Sequence, residues 1–228
     1  MTADVDLASA GALLGDRTRA GIMLALAAGP PLAASELATR CRISPSLASA
    51  HLARLLDGGL VEVEQRGRQR HYRLAGPEVA HAIEALSAIA RPAPARSLRE
   101  ATNGEALRRA RTCYDHLAGV LGVTVTEALE RDRVVVRDGD GYEVTSKGAR
   151  RLGELGIEVS ALAEGRRPLT RSCLDWSERR PHLAGALGAA IAARCFELGW
   201  IERSSSSRAV TVTPAGAAGF RAELGVEL

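Results

Sequence analysis

Between residues 35 and 74 the chain starts and stops its elements at a spacing that leaves few choices of fold. Ser35 opens a short helical segment through Arg40, with Leu37 turned inward. Ser44-Pro45 then opens a second helix to about Asp57, since a proline in the first helical turn gives up no internal hydrogen bond. Leu47, Leu52, Leu55 and Leu56 supply its expected apolar stripe. Gly58-Gly59 ends it, and LVEVEQRGRQRHYRL follows as two alternating strands, Leu60–Glu64 and Arg70–Leu74, around a tip at Arg66-Gly67-Arg68. Upstream, LASAGALLG and DRTRAGIMLALAAG read as two more helices, the second capped by Asp16 and stopped at Gly29-Pro30-Pro31. Helix, helix, short helix, tight turn, helix and basic hairpin is the order that a winged helix-turn-helix requires.

In that geometry the helix from residue 44 to 57 enters the major groove. Its first turns present Ser44, Ser46, Ser49 and Ala50, small side chains that let the backbone approach base edges. The hairpin carries Arg66, Arg68, Arg70 and Arg73, suited to phosphate contacts or a narrow minor groove. Strand alternation predicts Arg66, Arg68 and Arg70 on one face. A second reading stays open, in which the arginines are a solvated strand edge that discourages pairing with other chains. Net charge does not decide between them. The formal charge is +3, and residues 1–90 hold 9 basic and 9 acidic groups, so any affinity for DNA is local rather than a global field.

Residues 13–75 resemble the ArsR/SmtB family of winged-helix repressors. The pieces that match are DRTRAGIMLAL, SELATRCRISPSLASAHLARLLDGGLVE and the wing RGRQRHYRL. The resemblance implies a homodimer on double-stranded DNA that binds a pseudo-palindromic operator and is released by an inducer. It places Ser44, Ser46, Ser49 and His51 on the recognition helix and Arg66, Arg68 and Arg70 on the wing. For His51, DNA contact and packing at the groove edge both stay open. Family members that bind soft metals on the third helix carry a Cys-x-Cys pair there. Here that helix ends in Cys41 alone, which reads as a small apolar residue of the turn.

The remainder of the chain contains a repeat. HLAGVLG at 116–122 recurs as HLAGALG at 182–188, each read as a helix. Each is followed by an expected hairpin, VVVRDGDGYEVT and WIERSSSSRAVTVT, and then by Thr-x-x-Gly at Thr145 and Thr213. The expected fold is therefore mainly α with small β-hairpins (α+β). It has a winged helix-turn-helix over 1–90, a proline-marked linker over 91–104, and a duplicated helix–hairpin–helix module over 105–228, with repeats at about 105–156 and 173–224.

Three effector chemistries fit this second part. Cys113 and His116, read as one helix face, with Cys173, His182 and Cys195 form a candidate metal set, because thiolate with imidazole suits zinc, copper(I) or a metalloid. A shared packing role for His116 and His182 is the alternative. A thiol redox switch on Cys113, Cys173 or Cys195 is the second chemistry. The third is an organic inducer, with Trp176 and Arg179 beside His116 and His182 as the candidate site. Arg180 is a further anion contact, while Trp200 reads as core and the Gly119/Gly122 and Gly185/Gly188 pairs as close helix packing.

No P-loop, G-x-S-x-G, H-E-x-x-H or G-x-G-x-x-G occurs, so no enzyme and no cofactor is expected. The cysteines show no disulfide spacing, no stretch is long and apolar enough to span a membrane, and the start of the chain has no basic leader. The expectation is a cytoplasmic regulator of transcription that acts as a repressor. A winged module that docks proteins, or a Cys/His metal or thiol sensor, is the alternative.

Overall fold

The computed structural model describes residues 5–27, 30–91, 97–204 and 207–227. It divides into two compact units, 1–83 and 84–228. The division falls inside a helix, ahead of the 91–104 segment expected as a linker. The Arg91-Pro92-Ala93-Pro94 boundary, the glycine of Gly29-Pro30-Pro31 and part of the last hairpin tip lie outside the described residues.

The first unit runs α1 (Leu7–Leu14), α2 (Arg17–Leu26), β1 (Leu32–Ala33), α3 (Ala34–Cys41), α4 (Pro45–Asp57), β2 (Val61–Arg66), β3 (Gln69–Leu74) and the start of α5 (Pro77–Ile89). Asp16 caps α2 by accepting from the Arg19 N–H at 2.9 Å. The buried Arg19 side chain in turn donates to the Leu13 and Ala12 carbonyls at the end of α1, both at 2.6 Å. Arg42 closes α3 in the left-handed region, φ 55°, which makes the tight turn into α4. Ile22, Met23, Leu26, Leu37, Leu52, Leu55 and Leu74 form the core. The sheet order is β1-β3-β2, all antiparallel, with β1 a short strand that the sequence pattern does not reveal.

The second unit takes up the rest of α5 and α6 (Leu98–Arg109), which covers 98–104, half of the expected linker. β4 (Arg111–Cys113), β5 (His116–Ala118), α7 (Gly119–Arg131), β6 (Val135–Asp138), β7 (Gly141–Val144) and α8 (Ser146–Glu154) follow. After α9 (Val159–Ala163) comes a similar order: β8 (Arg171–Leu174), β9 (Pro181–Ala184), α10 (Gly185–Glu197), β10 (Ile201–Arg203), β11 (Val210–Val212) and α11 (Pro214–Leu224). Leu121, Val125, Leu129, Leu187, Ile191, Ile201 and Phe220 belong to one buried cluster.

The HLAG segments correct the sequence expectation. His116–Ala118 and Pro181–Ala184 are strands, not the first turns of helices, and the helices begin at Gly119 and Gly185. Three consecutive buried residues carry no periodicity, so a short apolar run does not distinguish strand from helix. The glycines decide it: Gly119 (φ 74°) and Gly185 (φ 85°) take a left-handed conformation that turns strand into helix. Gly122 and Gly188 pack closely. A methyl group there would lie 2.4 Å from the Leu117 carbonyl oxygen and 2.5 Å from that of Leu183.

Candidate functional site

Two arrangements of chemically equipped residues stand out, one in each unit. In the first, Ser44 caps α4, accepting from the Leu47 N–H at 3.3 Å and lying 3.1 Å from the Ser46 hydroxyl. Ser49 donates to the Pro45 carbonyl at 3.0 Å. Ser44, Ser46, Ser49 and Ala50 are all exposed, together with Leu47, which is 45% exposed and so not part of the inward stripe. The inward stripe is Ala48, His51, Leu52 and Leu55. His51 is buried at 8% exposure, with Nδ1 3.7 Å from Asp16 Oδ1, on the packed face of α4 and not among its exposed residues.

The wing differs from its expected geometry in one respect. Arg66 pairs with Gln69 and Gln65 with Arg70 across a two-residue tip, Gly67-Arg68. Residues directly opposite each other share a face, so Arg66 and Arg70 lie on opposite faces of the hairpin. On one face Arg66 is paired with Glu64, and Arg73 with Glu62 at 2.5 Å. On the other Arg70 lies over the Tyr72 ring, 5.7 Å from its centre. Arg68 is exposed at the tip. A groove of about 380 Å³ lies between helix and wing, with Ser35, Ser49, Ala53, Arg68, Gln69 and Arg70 in its lining. Ser35, read from the sequence only as a helix start, and Gln69 are not among the expected DNA contacts. Their position, at the head of α3 and beside the wing tip, is the signal for them.

The second arrangement is in the second unit. Cys113 and His116 are cross-strand partners in β4–β5, and Cys173 and His182 are cross-strand partners in β8–β9. The Cys113/His116 pair therefore meets through a hairpin, not along a helix. The two hairpins bring all four side chains together, with one sulfur or ring nitrogen from each within 4.8 Å of the others, and all four residues are buried. The sulfurs are 4.0 Å apart and the two Nε2 atoms 3.2 Å. The glycines of the helices make room for this: a methyl on Gly122 would meet His182 Cβ at 3.6 Å, and one on Gly188 would meet His116 Cβ at 3.3 Å. Cys195 stands apart, in the main apolar cluster, where burial pushes its thiol up to about 12.

A charged frame surrounds the four. His116 Nδ1 is 3.3 Å from Asp115 Oδ1, and Asp115 is held by Arg167. His182 Nδ1 is 3.4 Å from Asp175 Oδ2. Asp175 is fully buried and accepts from Arg111 at 2.9 Å, from the Gly119 N–H at 2.7 Å and from the Ser177 hydroxyl at 2.7 Å. Burial works against its charge, but these donors, Arg111 foremost, hold the carboxyl down at about 2. Arg111, also fully buried, lies 3.8 Å from Glu84 on α5, and Glu84 is paired with Arg208. Cys113 is pushed well up by the neighbouring Cys173 sulfur and by burial. For His116 burial opposes the charge, yet Asp115 and Cys173 leave it raised. Sequence reasoning misses Arg111, Asp175 and Glu84, and the aspartates beside Cys113–His116 and Cys173 are the only local hint of them.

The candidate organic-ligand residues are placed differently. Trp176 is half-buried against the Arg111 guanidinium, 4.6 Å from the centre of its ring. Arg179 donates to the Ala88 carbonyl, and Arg180 is paired with Glu127. Trp200 packs edge-on against Phe220 in the core, at 5.2 Å. Cys41 is half-buried, beside Gly21.

A helical unit in which a tight turn leads into a capped, small-residue helix and an arginine-bearing wing defines the winged helix-turn-helix class. A helix-turn-helix domain model matches residues 14–64. Over 98% of its length the chain is 42% identical to the HTH-type transcriptional regulator YdfF of Bacillus subtilis (strain 168), covering 99% of that protein. Among solved structures, the homodimeric winged helix-turn-helix DNA-binding domain of Mb0332 from Mycobacterium bovis is 31% identical. It covers 39% of this chain and 89% of that one at a TM-score of 0.35. An ArsR-like transcriptional regulator from Rhodococcus sp. RHA1 is 39% identical, covering 36% and 75% at a TM-score of 0.30. The chain belongs to the helix-turn-helix (HTH-type) transcriptional regulators. Among the described residues no helix is long and apolar enough to cross a membrane.

Proposed function

We propose that the protein is a homodimeric repressor of transcription that binds a pseudo-palindromic operator and answers an effector through its second unit. The observation that carries the reading is the groove between α4 and the wing, where exposed Ser49 faces Arg68 and Arg70. The serines and Ala50 of α4 read base edges, and Arg68 and Arg70 hold phosphates or a narrow minor groove. Arg66 and Arg73, each with a glutamate partner, add less.

Dimerisation is supported by α1, a helix rich in leucine and alanine with none of its residues buried. Val5 and Leu7 are 82% and 76% exposed. Apolar surface of that kind marks a protein interface. Two copies then present two recognition helices to successive major grooves, about 34 Å apart. The functional division we assign is a DNA-binding part over 1–90 and an effector part that is an internal duplication. The repeated HLAG sequence, the matching order of elements and one Cys–His cross-strand pair in each half support the duplication. An effector acts by binding more tightly to the dimer geometry that does not fit DNA.

A mobility shift of the full chain on the DNA upstream of its own gene tests the reading. A complex that resists excess unrelated DNA is expected. Equal competition by unrelated DNA would instead indicate a protein-docking module.

A further inference from the structure

We propose that Cys113, His116, Cys173 and His182 bind one zinc-class metal ion in a closed tetrahedral site that ties the two hairpins of the second unit together. The inference deepens the effector part of the preceding reading. Its test needs no DNA, so the metal site and operator binding can each fail without the other.

The donor set matches, as do its sulfur–sulfur and nitrogen–nitrogen separations. With zinc–sulfur bonds of about 2.3 Å and zinc–nitrogen bonds of about 2.0–2.1 Å, a tetrahedron sets two sulfurs about 3.8 Å apart and two nitrogens about 3.3 Å apart. The distances here are 4.0 Å and 3.2 Å. Two thiolates and two imidazoles in this shape select zinc over the harder divalent ions.

The surroundings point to the same occupant. Each imidazole has its Nδ1 toward a carboxylate, His116 toward Asp115 and His182 toward Asp175. With the proton on Nδ1, the side that faces the carboxylate, the Nε2 lone pair of each ring points toward the other. Two lone pairs facing at 3.2 Å repel, and a cation between them removes the repulsion. Charge also balances, because two thiolates neutralise a divalent ion while Asp115 pairs with Arg167 and Asp175 with Arg111. All four ligands are buried, which leaves no open position for substrate and separates the site from a catalytic centre. Each hairpin supplies one sulfur and one nitrogen, so the ion joins segments about 60 residues apart in the chain.

Cobalt(II) and zinc(II) are the probes, added to full-length protein stripped of metal under reducing conditions. One Co²⁺ per chain is expected, with the intense visible bands of tetrahedral cobalt and thiolate-to-cobalt charge transfer, all displaced by one equivalent of Zn²⁺. Cys195→Ser keeps the full signature. Cys113→Ser loses about half of the charge transfer, as one of two thiolates is gone, and Asp175→Asn weakens zinc about 10–100-fold. X-ray absorption of zinc-loaded wild-type protein, which does not depend on any variant folding, counts two sulfurs and two nitrogens. Binding below one ion per chain, a pale octahedral cobalt spectrum, or charge transfer unchanged in Cys113→Ser overturns the assignment. A Cys113–Cys173 disulfide in protein kept reduced does the same.

Discussion

His116 and His182 face each other with Nε2 atoms 3.2 Å apart and ring centres 5.1 Å apart, tilted by 35°. They occupy the same place in two HLAG segments, and each is backed by an aspartate at Nδ1. If zinc occupies this site, native protein gains stability from it. At free zinc about 100 times its dissociation constant the gain is about 2.7 kcal/mol. Thermal unfolding with and without a chelator reads it. His182→Gln should abolish the zinc-dependent shift while Cys195→Ser retains it.

Asp175 and Arg111 form a fully buried ion pair, and Asp175→Asn leaves the guanidinium without its main counter-charge. Breaking a buried pair from one side costs about 3–5 kcal/mol. Denaturant unfolding of metal-free protein should show a loss of that size. A loss below about 1 kcal/mol, the value of an exposed pair, would mean that the pair does not hold the fold.

Two glycine substitutions should move stability in opposite directions. In Gly188→Ala the new methyl group meets the Leu183 carbonyl oxygen at 2.5 Å, and crowding of this kind costs about 1–3 kcal/mol. In Gly104→Ala, within α6, nothing lies within 4 Å, and the lower entropy of the unfolded chain gives about 0.5–1 kcal/mol of stabilisation. Equal effects from the two would contradict the packing described at the HLAG segments. Denaturant midpoints decide it.

On DNA, Arg68→Ala combined with Arg70→Ala should weaken binding to every sequence and reduce the slope of log K against log salt by about 2, near 0.9 per phosphate contact. Ser49→Ala should instead change affinity for the operator more than for unrelated DNA. Anisotropy titrations at several salt concentrations separate the two. An unchanged salt slope in the arginine double variant would remove the wing from the interface.

The winged unit was legible because its punctuation is local: Ser44-Pro45 starts α4, Gly58-Gly59 stops it and Gly67 turns the wing. His51 was legible only in part: the sequence leaves packing and DNA contact both open, and the residue lies on the buried face with Ala48, Leu52 and Leu55. The faces of Arg66 and Arg70 were not legible, since a two-residue tip reverses the alternation that a continuous strand would keep. In the second unit the residue types of the Cys/His set were visible in the sequence and their geometry was not. The HLAG runs are too short and too apolar to declare themselves strands. Arg111 and Asp175, 64 residues apart, meet only through tertiary packing.

The most direct test of the central claim is a hydroxyl-radical footprint of the full chain on the DNA upstream of its gene. The account predicts two protected patches of equal size, related by a dyad and centred one helical turn, about 10–10.5 base pairs, or a multiple of it apart. A single unpaired patch, or uniform weak protection that vanishes with unrelated competitor DNA, would contradict it.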